Sequence, residues 1–238
     1  MAQVSYLENE GIKISRGMVK NVIPVHRSGY NPNLQNGVEE TIWTYSSGDP
    51  YFATVANTVS VVSSSSSDTA VQITIEGLDS NWNQISETIT LNGTTPVVTS
   101  NSFIRVIATI NTGNTTLVGS ASFTQDGSNV VAYIVDGVGR GMKGTYSIPA
   151  GYTGYLYKGD TSVGKGGDAE VRMYVRYFGK TWIAGHIAQI YQCQYNYDFP
   201  FPSVLPEKTD IKVTAKTSTT GTAIACNFDL LLVKNPNT

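Results

Sequence analysis

Apolar and polar positions alternate with a period of two along most of this chain. In residues 70–93, Val71, Ile73 and Ile75 alternate with Gln72, Thr74 and Glu76. Turn-rich residues follow, and Ile85, Ile89 and Leu91 then alternate with Ser86, Thr88 and Thr90. Period-two spacing on both sides of a turn predicts a β-hairpin with one buried face. Asn92-Gly93 supplies the next tight turn, because glycine tolerates positive φ. The same alternation recurs at Ile104, Val106, Ala108 and Ile110, and again at Val171, Met173, Val175 and Tyr177. Residues 182–195 read as two strands or one bent one. In residues 223–233 apolar side chains fall on both faces (Phe228, Leu230 and Leu232 against Leu231 and Val233), which predicts a central strand. Helical periodicity is nearly absent. Short, evenly spaced strands with Gly, Pro and Asn turns predict an all-β chain of β-sandwich or jelly-roll type.

The first 40 residues break the alternation with Pro24, Gly29, Pro32 and Gly37 and read as an extended N-terminal arm with short strands or turns, docking on the body or on a neighbour. Residues 41–136 then form a first β-sandwich sub-domain. Residues 137–144 (GVGRGMKG) form a glycine-rich connector, and residues 145–238 a second, jelly-roll-like sandwich. The serine run at 63–67 reads as a solvated loop within the first sub-domain.

Composition narrows the function. Only 14% of residues are charged, against roughly 25% in an average globular protein, and net charge is −2. No basic field favours nucleic acid. Solubility rests on Ser, Thr, Asn and Gly, a surface style suited to packing against other subunits. No charged n-region precedes an apolar run, so no signal peptide is expected, and no segment reaches 18 apolar residues. The sequons at Asn92 and Asn114 carry no weight without a secretory route. Cys193 and Cys226 do not amount to a disulfide framework, and free thiols are expected.

Candidate chemistry falls away on inspection. Residues 159–165 (GDTSVGK) match seven positions of a P-loop, but the eighth is Gly166, with no hydroxyl for Mg²⁺, and a strand follows where a helix must open. They read instead as a hairpin loop. Residues 137–141 (GVGRG) mimic a dinucleotide loop but lack a βαβ unit. His26 and His186 show no zinc spacing. Asp79, Asn81 and Asn83 are faintly calcium-like, yet lack the glycine and distant glutamate of an EF-hand, and read as a hairpin turn. No catalytic residue, cofactor or metal is expected. Tyr191, Tyr195, Tyr197, Phe199 and Phe201 cluster beside Pro200 and Pro202. Buried, they are core or subunit interface; exposed, they could anchor a protein or stack on sugar rings.

Seven segments taken in order carry a resemblance: HRSGYNP at 26–32, GVEETIW at 37–43, IEGLDSNWN at 75–83, SETITLNG at 86–93, SIPAG at 147–151, LPEKTDI at 205–211 and FDLLLV at 228–233. The series resembles a family of virion structural proteins of tailed bacteriophages and cyanophages. The resemblance covers nearly the whole chain and is weakest before His26. It implies a β-rich, non-enzymatic component of the virion, with other virion proteins and copies of itself as partners and a trimer favoured by analogy. Two placements follow: a decorating (cement) protein on the head, or a tail, baseplate or fibre-attachment protein touching host glycans. A wall-degrading enzyme is a third reading, without a visible carboxylate pair at useful spacing.

Overall fold

The computed structural model describes residues 10–45 and 48–236. A short helix, α1 (Glu10–Ser15), precedes β1 (Val22–Leu34) and β2 (Glu39–Thr41). Seven strands follow: β3 (Asn57–Ser63), β4 (Gln72–Leu78), β5 (Gln84–Thr90), β6 (Val97–Phe103), β7 (Arg105–Asn111), β8 (Ala121–Gln125) and β9 (Asn129–Ile134). Then come β10 (Thr145–Ser147), β11 (Tyr152–Val163), β12 (Asp168–Arg176), β13 (Ile183–Tyr191), β14 (Gln194–Leu205), β15 (Asp210–Lys216) and β16 (Thr222–Lys234). All the sheet ladders are antiparallel.

The alternation reads through into buried faces. β16 is buried at every second residue from Thr222 to Leu232, and it lies inside its sheet between β1 and β11. That sheet, ordered β1-β16-β11-β14, faces a second, ordered β10-β15-β12-β13, with β2 also paired to β15. Leu34, Ile42, Ile148, Leu156, Ile190, Ile211, Ile224, Phe228 and Leu230 fill the space between them. The sheets β6-β3-β8-β9 and β5-β4-β7 bury Val61, Ile73, Ile75, Phe103, Phe123 and Ile134 in a separate core. The expected hairpin is β4–β5, with Ile73 opposite Ile89 and Gly77 opposite Ile85.

Three segments differ from their sequence reading. Of the extended arm, residues 1–9 lie outside the described residues, and Val22–Leu34 is a full strand paired with β16 from Val22↔Val233 to Leu34↔Thr222. Pro24 and Pro32 are tolerated because β1 ends its sheet, where a missing N–H costs no ladder bond on the free side. Strands β1 and β2 thus belong to the sandwich built by the C-terminal half, and β3–β9 are looped out between β2 and β10. Close approach fixes this arrangement: a Cβ on Gly29 would lie 2.3 Å from the Ile42 carbonyl oxygen and 2.5 Å from the Gly144 nitrogen.

In the second case, residues 159–163 of the P-loop mimic are strand, with Asp160 accepting a 2.8 Å hydrogen bond from Asn227 Nδ2, and the turn begins only at Gly164. In the third, the residues 137–144 read as a connector are held by bridges Ile110↔Arg140 and Trp43↔Lys143. The serine loop is likewise ordered from within. Asp68 is buried and accepts from Ser63 Oγ and from the amides of Val118 and Gly119. Burial alone would raise the Asp68 pKa, but these hydrogen bonds outweigh it and hold the carboxyl below its usual range.

Candidate functional site

The two cores meet across an ion pair. Arg105, at the start of β7, stands in an otherwise apolar run between Ile104 and Val106 and is 8% exposed. Its guanidinium grips Asp210 of β15 in a two-bond fork, Nε to Oδ1 and Nη2 to Oδ2, both 2.8 Å. Nη1 donates to the carbonyls of Ala53 and Ile104. Asp210 also accepts from Ser147 Oγ at 2.6 Å and from Arg176 Nη2 at 2.7 Å. A charge drawn from water needs this degree of hydrogen bonding to be tolerated.

Aromatic rings sheath the pair. Arg105 lies 4.7 Å from the Trp82 ring centroid and 5.3 Å from that of Phe52, and Arg176 lies 4.5 Å from Trp182. Phe52 meets Trp182 edge-on, Trp82 meets Phe178 edge-on, and Lys208 caps Phe178. Trp82 reaches its place through the hairpin turn. Asp79 accepts from the amides of Asn81 and Asn83, and Trp82 takes a left-handed φ of 68°. The faint calcium spacing is therefore a turn whose carboxylate is used locally. A bulky residue in that conformation stores strain, which its burial against Leu78 and Ile104 offsets.

The junction opens as a cleft of about 480 Å³ lined by Tyr45, Asp49, Tyr51, Asn129, Trp182 and Lys212. Lys212 Nζ lies 2.6 Å from Asp49 Oδ2, and Thr41 bonds the other oxygen. Burial works against the Asp49 charge, but Lys212 and Thr41 prevail and keep its pKa low. Behind the junction, Lys143 Nζ donates to the carbonyls of Val106 and Val131, each at 2.8 Å. Burial, reinforced by Arg27 and Arg105, brings its pKa down to about 7.

The aromatic cluster expected at the C-terminal side divides. Tyr195, Tyr197 and Phe199 share one face of β14 and lie partly buried against His186, whose Nε2 sits 3.2 Å from Tyr195 Oη. The cavity they line holds about 40 Å³, room for a water or two and far below the hundreds of Å³ of ligand pockets. Tyr191 is 69% exposed at the end of β13, and Phe201 is 88% exposed. Phe201 falls in a bulge where residues 199–202 have no partner in β11, between the pairs Leu156↔Ser203 and Lys158↔Asp198. Pro200 and Pro202 sit in that bulge, on the strand that ends its sheet.

One constellation has no signal in the sequence. His26 and Ser28 lie two apart on β1, and Asp229 lies opposite His26 on β16. His26 Nδ1 bonds Asp229 Oδ1, and Ser28 Oγ lies 3.4 Å from His26 Nε2. The order serine, histidine, aspartate is that of a hydrolase triad, but the three stand on an open sheet face, outside the clefts described above. A nucleophile also needs oxyanion donors and a concave seat for substrate. Among the described residues no group of three His, Cys, Asp or Glu side chains could hold a metal ion, and no helix is long and apolar enough to cross a membrane.

No protein-family model and no curated protein matches the chain. Among solved structures, it is similar to that of the Gx strain of infectious bursal disease virus, at 12% identity over 90% of this chain and 72% of the other, with a TM-score of 0.23. The infectious bursal disease virus VP2 subviral particle gives 11% identity over 92% and 74%, also at 0.23. Scores of this size fall well below those of a shared architecture.

Proposed function

We propose that this chain is a non-enzymatic structural component of a tailed-phage particle, decorating the head shell as an oligomer. The ordered series of sequence landmarks supports the virion assignment. The observation that carries the assembly role is the open side of the C-terminal sandwich. There β13 and β14 both end their sheets, and Ile183, Ile187, Tyr191, Phe201 and Val204 are all exposed. Apolar side chains along unpaired strand edges mark surfaces that other protein covers. The ion-pair junction supports the same reading, since it ties the two cores into a stiff body suited to clamping. A map of the intact virion tests the proposal. Many copies on the head are expected; a few copies confined to the tail would overturn it.

The junction cleft favours a second reading, a tail or fibre-attachment protein that binds host glycans. Tyr45, Tyr51 and Trp182 beside Asp49, Asn129 and Lys212 combine ring faces with hydrogen-bonding groups, the chemistry of sugar recognition. Glycan-array binding that disappears in Trp182→Ala would support it, and a silent array would remove it.

A further inference from the structure

We infer that β13 is the strand through which two copies of this chain join, antiparallel and edge to edge, about a two-fold axis at Gln189. The inference rests on the oligomeric reading above and names its surface.

Backbone phase comes first. The amide of Gln192 donates to the Gly167 carbonyl at 3.0 Å, and the register from Asp168↔Tyr191 to Met173↔His186 continues that pairing without a slip. In an antiparallel ladder, bonded and non-bonded pairs alternate. Ala188 and Ile190 therefore bond toward β12, while Ile187, Gln189 and Tyr191 turn their N–H and C=O groups to the open edge. Among the described residues these three amides have no other backbone partner.

Side chains agree with the backbone. Ile187 (55% exposed), Gln189 and Tyr191 lie on one outer face. Antiparallel pairing centred on Gln189 sets Ile187 against Tyr191 of the second copy, and Gln189 against its own counterpart. Each pair exchanges two backbone bonds, and an aromatic ring meets a β-branched side chain, a favourable cross-strand match. From Gly185 to Cys193 the segment holds no Asp, Glu, Lys, Arg or Pro, so self-pairing brings no like charges together.

Both end strands of the facing sheet are defended. β1 carries Pro24, Arg27 and Pro32, and β14 carries Asp198, Pro200 and Pro202. The His186–Tyr195 bond stacks β14 over β13, so the two edges open on the same side. Pairing there joins two five-stranded sheets into one and brings the β14 edges and Phe201 alongside. The arrangement is two-fold, in place of the three-fold that the resemblance favours.

The test uses the full chain. In a Cys193→Ser background, Gln189→Cys is treated with a mild oxidant or a short bis-maleimide. A covalent dimer linked through position 189 is expected, since paired Cα atoms lie about 5.5 Å apart. Gln189→Lys places like charges at the axis, while each lysine can still reach Glu170, which Gln189 and Arg172 engage in the native chain. It should keep the wild-type melting temperature and weaken dimerisation at least about tenfold by light scattering. An oligomeric wild type with no link at 189 and no effect of Gln189→Lys would overturn β13 as the joining strand and leave the oligomeric reading standing. A monomeric wild type would overturn both, while placement on the particle would still be decided by the virion map.

Discussion

Replacing Asp210 with Ala leaves the Arg105 guanidinium buried, with two backbone carbonyls as its remaining acceptors. The lost contacts are the two 2.8 Å bonds of the fork, the 2.6 Å bond from Ser147 and the two bonds from Arg176, at 2.7 and 3.1 Å. Arg176 is partly exposed and can turn to water, so its share is small. Arg105 cannot, and removing one partner of a buried pair costs about 3–5 kcal/mol. For a chain of this size each kcal/mol lowers Tm by about 2–4 °C, giving an expected fall of roughly 6–20 °C by scanning calorimetry. Because the pair joins two separate cores, the variant should also split one melting transition into two. Replacing both partners with apolar residues, Arg105→Met with Asp210→Leu, should recover much of the loss, because the desolvation cost disappears with the charges. A single-variant loss below about 1 kcal/mol, with one sharp transition, would refute the view that this pair couples the halves.

Trp43 is buried and its Nε1 donates to the Gly48 carbonyl at 2.8 Å, so Trp43→Ala should cost about 3–5 kcal/mol by denaturant titration. Lys143 has a folded pKa of about 7 against 10.5 unfolded, so between these values the unfolded chain binds more protons. Stability should therefore rise as pH goes from 7 to 9, and Lys143→Met should flatten that rise in pH-dependent urea melts. Cys226 is buried with its thiol pushed up to about 12, whereas Cys193 is exposed; a thiol reagent at pH 8 should modify one cysteine in the native chain and two after denaturation. A fluorophosphonate probe should leave Ser28 unlabelled, and labelling that vanishes in His26→Ala would overturn the non-enzymatic reading.

Strands with one clean buried face are legible in the amino-acid pattern. The β4–β5 hairpin and the interior strand β16 follow from alternation alone, because side-chain period and burial coincide there. β1 is not legible in this way. An end strand hydrogen-bonds on one side only, so it accepts prolines and polar residues that in sequence look like an irregular arm. Residues 159–163 mislead for a related reason: Gly159 and Asp160 resemble loop residues, but Asp160 is satisfied across the sheet by Asn227. The junction is hidden by distance along the chain, since Arg105 and Asp210 find each other only after two cores have formed. A lone arginine between Ile104 and Val106 is the one visible signal, a charge at a position otherwise written for the interior. The exposure of Tyr191 and Phe201, against the inward turn of Tyr195, Tyr197 and Phe199, depends on a strand end and a bulge that alternation cannot show.

The pairing of β1 with β16 has a consequence in time. The ribosome makes β1 before every other described strand, and β16 after them. At about 5–20 residues per second, β1 waits roughly ten to forty seconds for its partner. The looped-out strands β3–β9 hold their own core and emerge complete long before then, so they can fold while the outer sandwich still lacks seven of its nine strands. Until β16 arrives, β1 and β11 both lack the neighbour that lies between them, and the core positions of Ile224, Phe228 and Leu230 stay empty. The order of synthesis therefore closes the outer sandwich last, with the strand that joins its first-made strand to the rest.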